Sequence, residues 1–297
     1  MAMIPRQPPR PSIEKRRRET IARYPGLWKR MIGEWRAADG RDSAWLLYSA
    51  NYLLRTGSAR WAIDPLTLRW RVPEAGAVST RRDLADLSFV VLTHRHADHL
   101  DFDLIRSLRD LPILWIVPDW MRESVLSEGG LAKGKVLAVS PRQPIEIDGI
   151  RLISFAGLHY EGLDGRRSAG APASPRGVPS SGCLVEFGQK RWLFPGDTRD
   201  YRADLLPSFG PVSGLFAHVW LGRGKALDES PPLLDALCGF CVDLQPQRIV
   251  LTHLEEFGRP ATEVWKLEHA DRLRTRLRSM NQELTVEVAR TGDRVFL

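Results

Sequence analysis

The sequence predicts an α/β fold in which mixed β-sheets are covered by helices. Several short, almost fully apolar runs stop abruptly at polar residues, as buried strands do: residues 88–94, 112–117, 191–197, 214–220 and 248–253. Helix-like stretches lie between several of them, at residues 101–109, 118–128, 227–243 and 261–280. Buried strands that alternate with helices indicate sheets with helices on their outer faces.

Hairpin patterns add antiparallel pairing to this scheme. Residues 52–63 form a hairpin pattern around the Gly57-Ser58 turn and end at Asp64-Pro65. Further hairpins are expected at residues 144–155, 183–195 and 284–296. The sheets should therefore contain both parallel and antiparallel strands.

The composition excludes several classes of protein. The chain has 297 residues, of which 43% are hydrophobic and 27% charged, as in ordinary globular domains. It has no apolar run of about 18 residues for a membrane span and no apolar segment of a secretory signal. Its three cysteines are too few for a disulfide framework. We therefore expect a soluble, cytoplasmic protein.

The excess positive charge lies entirely in the N-terminal segment. Residues 1–36 contain ten Lys or Arg and three Glu, whereas residues 37–297 contain 33 of each sign. The sequence predicts a basic helical extension over residues 1–40, broken at Pro25-Gly26, and one domain over residues 41–297.

The extension could bind a phosphate-rich surface such as a nucleic acid. Apolar residues at helical spacing favour the alternative, a helix packed against the domain. These apolar residues are Ile21, Leu27, Trp28, Met31 and Trp35.

A cluster of metal-binding residue types follows the first of the apolar strands. The sequence His94-Arg95-His96-Ala97-Asp98-His99 offers four potential ligands within six positions. Imidazole binds zinc, iron, nickel and copper, and a carboxylate among imidazoles favours a borderline divalent ion. His159, Asp197 and His253 each follow a later apolar strand. Five His and two Asp are enough for two ions, with Asp197 between them.

This pattern resembles the metallo-β-lactamase-fold hydrolase superfamily. The resemblance rests on Asp64, the 94–99 cluster, His159, Asp197 and His253 in that order, and it spans about residues 45–297. It implies a four-layer αββα sandwich of two mixed sheets. One metal ion would be held by His94, His96 and His159, and the second by Asp98, His99 and His253. Asp197 would bridge the two ions, and Asp64 would orient ligands.

The resemblance also implies the chemistry. Two divalent ions, zinc above all with manganese or iron as alternatives, would share a hydroxide that attacks a phosphodiester or a related ester or lactone. Asp98 would orient the nucleophile or accept its proton. Asp197 makes antibiotic hydrolysis improbable, because the lactam-hydrolysing enzymes typically lack this bridging aspartate.

Within the superfamily the sequence is most similar to the branch with ascorbate-6-phosphate lactonase, N-acyl-phosphatidylethanolamine phospholipase D and ribonuclease Z. It shares His99-Leu100-Asp101 and the Gly-Asp-Thr at residues 196–198. We expect a small-molecule or lipid-like ester substrate, with anionic substrates included. The alternatives are a nuclease for RNA or DNA and a non-catalytic metal-binding adaptor, which the complete ligand set disfavours.

Other polar residues are weaker candidates. His218 ends an apolar strand, and is interpreted either as a proton-relay or substrate-facing residue or as a hydrogen-bonded core histidine. The seven ligand positions are already filled, which argues against His218 as a ligand. Candidates for substrate contact are Tyr160, Arg166, Arg167 and Arg223. The Gly- and Pro-rich loop 161–182 follows His159, and we expect it to act as a mobile lid.

Overall fold

Two seven-stranded mixed sheets form the centre of the computed structural model, which describes residues 13–37, 39–68, 78–159, 177–220, 233–255 and 267–297. The strands in chain order are β1 (Ser43–Leu46), β2 (Tyr52–Thr56), β3 (Ala59–Ile63), β4 (Phe89–Val91), β5 (Leu114–Pro118), β6 (Val136–Val139), β7 (Pro144–Ile147), β8 (Ile150–Ala156), β9 (Ser181–Phe187), β10 (Lys190–Phe194), β11 (Gly214–His218), β12 (Arg248–Thr252), β13 (Thr285–Val288) and β14 (Arg294–Phe296). The first sheet has the order β14-β1-β2-β3-β4-β5-β6, and the second has the order β13-β12-β11-β10-β9-β8-β7.

The described helices cover the outer faces of the sheets. They are α1 (Ile13–Arg36), α2 (Thr80–Asp83), α3 (Phe102–Leu108), α4 (Arg122–Ser127), α5 (Leu233–Asp243) and α6 (Ala270–Met280). None of the helices in the described ranges has the length and apolar character that crossing a bilayer requires.

Three layers of apolar side chains hold the helices and sheets together. The first lies between the helices α1, α3 and α4 and the first sheet, and it includes Trp35 and Val90. The second lies between the two sheets and includes Trp61 and Phe216. The third lies between the second sheet and the helices α5 and α6. The αββα sandwich predicted from the sequence is confirmed.

The N-terminal helix differs from the prediction. It is one continuous helix with Pro25 inside it, and not two helices broken at Pro25-Gly26. A proline within a helix costs about 3 kcal/mol because it removes a hydrogen bond and crowds the preceding turn. The buried side chains of Tyr24, Trp28 and Trp35 continue one apolar face across the proline, and their packing on the first sheet offsets that cost.

The hairpin predicted at residues 284–296 is wrong. β13 pairs in parallel with β12 in the second sheet, whereas β14 pairs antiparallel with β1 in the first sheet. Val286 and Val295 consequently belong to different apolar layers. Alternation of apolar residues predicts two strands, but it does not say that they lie in one sheet. The other hairpins, β2–β3, β7–β8 and β9–β10, are confirmed.

Candidate metal centre

Asp64 lies at the centre of the polar cluster that follows β4. Its carboxylate accepts hydrogen bonds from the Thr93 backbone N–H at 2.7 Å, from the Thr93 hydroxyl and from His99 Nδ1 at 2.8 Å. Asp64 itself is fully buried and has a φ of 45°, a left-handed conformation that aspartate tolerates better than most residues. The carboxylate therefore fixes the His99 ring and the start of the cluster together.

The Thr93 hydroxyl determines the tautomer of His94. An ionised carboxylate only accepts, so the single Thr93 hydroxyl proton is donated to Asp64. His94 Nδ1, 2.9 Å from the same hydroxyl oxygen, must then be the donor in that contact. The lone pair of His94 is left on Nε2, which is the state in which imidazole binds a metal.

Asn51 holds the loop that carries Asp98, and the sequence reasoning missed it. Its side-chain amide donates to the backbone carbonyls of Asp64 at 2.9 Å and Asp98 at 2.8 Å, and its oxygen accepts from the backbone N–H of Ser49. Asn51 is fully buried. The only signal for it in the sequence is a polar residue directly before an apolar strand.

The second sheet supplies His159, which follows β8, and Asp197, which follows β10. His159 Nδ1 donates to the Asp197 backbone carbonyl at 2.8 Å, so its lone pair also lies on Nε2. His94 forms an isolated antiparallel bridge with Ser180, just before β9, and this bridge brings the cluster of the first sheet to the edge of the second. The two sheets thus present their histidines to each other.

These residues converge into groups with the spacing of metal ligands. One potential ligand atom from each of His94, His96, His159 and Asp197 lies within 4.8 Å of the others. The same holds for Asp98, His99 and Asp197, and for Asp64, His94 and His99. Asp197 belongs to both of the first two groups, which is the arrangement expected of a shared carboxylate.

Within the part of the chain that the structure describes, the atoms that face the centre have no hydrogen-bond partners. His94 Nε2, His99 Nε2 and Asp197 Oδ1 are buried and unpartnered, and the last two are 3.0 Å apart. Burying such atoms without partners costs several kcal/mol in an apolar setting. Because His99 Nδ1 donates to Asp64, its Nε2 meets the Asp197 oxygen either with a proton or with a cation between them. The donor set fits divalent metal ions.

The shifted pKa values of the histidines are consistent with a metal site. Burial lowers the pKa of His94 and His96, and it lowers the pKa of His159 to about 4, so these rings are neutral near pH 7. Burial also opposes the charged form of His99, but the carboxylates of Asp197 and Asp64 outweigh it and raise the pKa of His99 well above its usual value.

Asp197 keeps its charge despite its burial. Burial by itself would raise its pKa, but the imidazoles beside it, His218 and His99, hold the pKa of Asp197 well below its usual range. A buried carboxylate that stays ionised among imidazoles is suited to a cation.

His218 ends β11 and His253 follows β12, as the apolar runs before them predicted. Neither belongs to the three groups of potential ligands in the described residues. His253 Nδ1 donates to the Val219 carbonyl at 3.2 Å, and its ring stacks on His218. His218 Nε2 is 3.1 Å from Asp197 Oδ1. Both ring nitrogens of His218 are buried, and within the described residues Nε2 has only this contact with Asp197.

Arg199 is a further residue near the centre that the sequence reasoning missed. Its guanidinium lies over the Trp220 ring at 4.9 Å, and its positive charge helps to lower the pKa of His96 and His159. In the sequence, the indication that Arg199 lies near the centre is its position two residues after Asp197. The candidates for substrate contact, Tyr160, Arg166, Arg167 and Arg223, lie outside the described residues, as does most of the loop 161–182.

A family model described as a β-lactamase superfamily domain matches residues 60–254, more than half of the chain. No curated protein sequence matches the chain. Solved structures share the fold at low identity. The metallo-β-lactamase fold protein YhfI from Bacillus subtilis is 15% identical, with a TM-score of 0.59 over 86% of this chain and 99% of that one.

Two other neighbours are named as enzymes. An isothiocyanate hydrolase from Delia radicum gut bacteria is 16% identical, with a TM-score of 0.58, and the match covers 86% of this chain and 98% of that one. The diiron β-hydroxylase CmlA from Streptomyces venezuelae is 17% identical, with a TM-score of 0.58. That match covers 88% of this chain but only 55% of CmlA, so the chain spans about half the length of CmlA.

Proposed function

Because the chain belongs to the β-lactamase superfamily, we propose that it is a metal-dependent hydrolase with two divalent ions at the edge where its two sheets meet. The observation that carries this proposal is the convergence of bare, buried ligand atoms on one carboxylate. Neighbours engage the Nδ1 atoms of both rings, Thr93 for His94 and Asp64 for His99, so Nε2 of each ring is left to the centre, where Asp197 Oδ1 also lies without a hydrogen-bond partner in the described residues. A core that satisfied these atoms internally would not leave them bare.

The residues divide into two ligand sets. His94, His96 and His159 would hold one ion, Asp98 and His99 would hold the second, and Asp197 would be shared. The resemblance assigns the last position at the second ion to His253. Asp64 would orient His99 through Nδ1, as the carboxylates behind metal-bound histidines do. Zinc suits this donor set, and manganese or iron are alternatives because mixed His and carboxylate ligation discriminates weakly.

Paired divalent ions lower the pKa of a shared water toward neutrality and stabilise negative charge on substrate oxygens. Residues of the chain would orient the water molecule, accept its proton and shield the site from solvent. Asp98 is half-buried at the accessible side of the site, where it can orient a water molecule and accept its proton. Asp197 and His99 are buried, so the polar groups behind them are shielded from solvent. Such a site would cleave a phosphodiester, or a related ester or lactone, with water as the second substrate.

A small molecule fits better than a nucleic acid. In the nuclease alternative the basic helix α1 would dock RNA or DNA, but its apolar face is buried on the first sheet. Two of its basic residues are also engaged by the protein itself: Arg30 donates to the Gly292 carbonyl and Arg36 to the Asp86 carboxylate. The adaptor alternative is disfavoured by the converging ligand atoms.

The test is a panel of chromogenic phosphodiesters, phosphomonoesters, lactones and thioesters, given to metal-loaded enzyme. We expect turnover of at least one class, lost with a chelator and restored by adding a divalent ion. Asp197→Ala should lose both turnover and bound metal. Full activity of Asp197→Ala, or activity indifferent to the chelator, would contradict the proposed function.

A further inference from the structure

A cavity opens beside the candidate metal centre, at the edge of the sandwich where the two sheets approach each other. The first sheet lines it with the ends of β5 and β6, and the second lines it with the end of β8 and the residues around the start of β9. β4, β5 and β6 are parallel neighbours, so β5 and β6 end at the same edge as β4, which leads into the 94–99 cluster. β8 leads to His159. Strand order therefore places the cavity next to the centre.

The cavity and the metal centre share a wall. Ser180 lines the cavity and forms the antiparallel bridge with His94. Gly157 also lines the cavity, and its backbone N–H donates to the Ser180 carbonyl at 2.8 Å. His159 follows two residues later, a distance of about 7 Å at most along an extended chain. A small molecule bound at the centre can therefore reach the cavity with a substituent only a few atoms away.

The lining of the cavity suits an apolar group. Trp120 and Phe155 contribute aromatic rings to it, and the Trp120 side chain is 41% exposed, so its indole offers apolar surface to a ligand. The one carboxylate in the lining, Asp119, accepts a hydrogen bond from the Ser140 hydroxyl at 2.7 Å. Among the described residues that line the cavity there is no Lys, Arg or His to attract an anion.

The size of the cavity limits what it can hold. Its volume is about 220 Å³. An apolar cavity of about 150 Å³ accommodates one benzene molecule, so this cavity has room for one substituted ring or a short alkyl chain. The neighbouring cavity, which shares Ser154 and Ser181 with it, has only about 20 Å³, close to the space of a single water molecule. The long acyl chains of a membrane lipid would extend into solvent.

We propose that this cavity binds the apolar group of the substrate that is hydrolysed at the metal centre, and that this group has the size of one aromatic ring or a short alkyl chain. The inference rests on the proposed function and specifies its substrate class: an ester or phosphodiester with one such group close to the scissile bond. A side chain of a protein partner would also fill an apolar cavity, but the wall shared with the centre favours the substrate. Trp120 is then a residue that determines specificity.

The first experiment compares two phosphonates that differ only in their apolar group. Zinc-loaded wild type is titrated calorimetrically with methylphosphonate and with phenylphosphonate, since both offer oxygens to the ions and only the second has a ring for the cavity. We expect phenylphosphonate to bind at least about 10-fold more tightly, because its ring leaves water. Equal affinities would overturn this inference, leave the metal site intact and assign the cavity to a partner's side chain. Binding of neither phosphonate would overturn the proposed function and the inference with it.

Two variants test whether the ring lies in the cavity. Ala156 lines the cavity at an exposed position, so Ala156→Trp should fill the cavity and abolish the preference for phenylphosphonate. Trp120→Ala removes one apolar wall and should reduce the preference about 5-fold. The control is Met280→Ala, which should keep the full preference. Met280 is 36% exposed and ends α6 ahead of β13, at the opposite edge of the second sheet. A preference that both cavity variants keep would overturn the inference.

The second experiment locates the ring directly and serves if a variant does not fold. Crystals of zinc-loaded wild type are soaked with 4-bromophenylphosphonate, and anomalous diffraction is measured at the bromine absorption edge. We expect the phosphonate on the ions and a bromine peak inside the cavity, between Trp120 and Phe155. A bromine peak outside the cavity, with the phosphonate on the ions, would overturn the inference and leave the proposed function standing.

Discussion

At the scale of single residues, hydrogen bonds from neighbouring side chains fix the histidine rings of the proposed metal site. The Thr93 hydroxyl fixes the His94 ring, and the Asp64 carboxylate fixes the His99 ring. The 94–99 cluster could be predicted because it is contiguous. Asn51 could not, because its role depends on two carbonyls that are 13 and 47 residues away along the chain.

Removing the Thr93 hydroxyl should weaken metal binding. In Thr93→Val, His94 Nδ1 loses its partner and the Asp64 carboxylate loses a donor, while the backbone hydrogen bond from residue 93 to Asp64 remains. We expect about 10- to 100-fold lower zinc affinity, the usual cost of losing a group behind a metal ligand. Competition with a chromophoric chelator measures the affinity, with Thr93→Ser as the matched control. Equal affinities in the two variants would show that the hydroxyl has no such role.

Metal binding should release a proton from His99. In the metal-free protein the raised pKa of His99 keeps it protonated near pH 7, whereas His159, with a pKa of about 4, is already neutral. The His99 proton stabilises the metal-free fold at low pH, and that contribution is lost as the pH rises through the folded-state pKa. A ligand must be unprotonated, so zinc affinity should rise with pH.

Calorimetric titrations of zinc in buffers with different ionisation enthalpies measure this release. We expect at least one proton released per chain near pH 7. Binding without proton release, with an affinity independent of pH between 6 and 8, would contradict a protonated His99.

At the scale of elements, the hydrophobic pattern of the sequence predicted the strands, but it did not predict which strands pair with each other. Five apolar runs became β4, β5, β10, β11 and β12 because short, fully apolar segments can only be buried. The assignment of β13 and β14 to different sheets could not be predicted, since the two have similar local patterns. The same lack of strand order hid the contact between His218 and Asp197.

The helix α1 contributes to the core of the first sheet, so truncating its buried face should destabilise the protein. Trp35 is fully buried, and its indole N–H donates to the Leu54 carbonyl at 2.8 Å. We expect Trp35→Ala to lower the free energy of unfolding by about 3–5 kcal/mol. Lys29→Ala, on the exposed side of the same helix, should change it by less than about 0.5 kcal/mol. Urea denaturation measures the free energy of unfolding of both variants. Equal losses in the two variants would show that the buried face of α1 does not stabilise the fold.

At the scale of the whole molecule, the site exists only where the two sheets meet. The first sheet presents the 94–99 cluster after β4, and the second presents His159 and Asp197 after β8 and β10. The apolar layer between the sheets sets their separation, and the bridge between His94 and Ser180 ties their edges. The order of the candidate ligand residues along the chain predicted that the two sheets bring them together. The position of His253 also depends on the order of the strands and on its left-handed backbone conformation.

The central claim is that both sheets hold a pair of ions through Asp197. Anomalous diffraction at the zinc absorption edge, from crystals of zinc-loaded protein, tests it most directly. We expect two peaks about 3.5–4 Å apart, as in other two-metal sites, with the Asp197 carboxylate between them. No peak among these ligands, or a single peak that does not contact Asp197, would contradict the account.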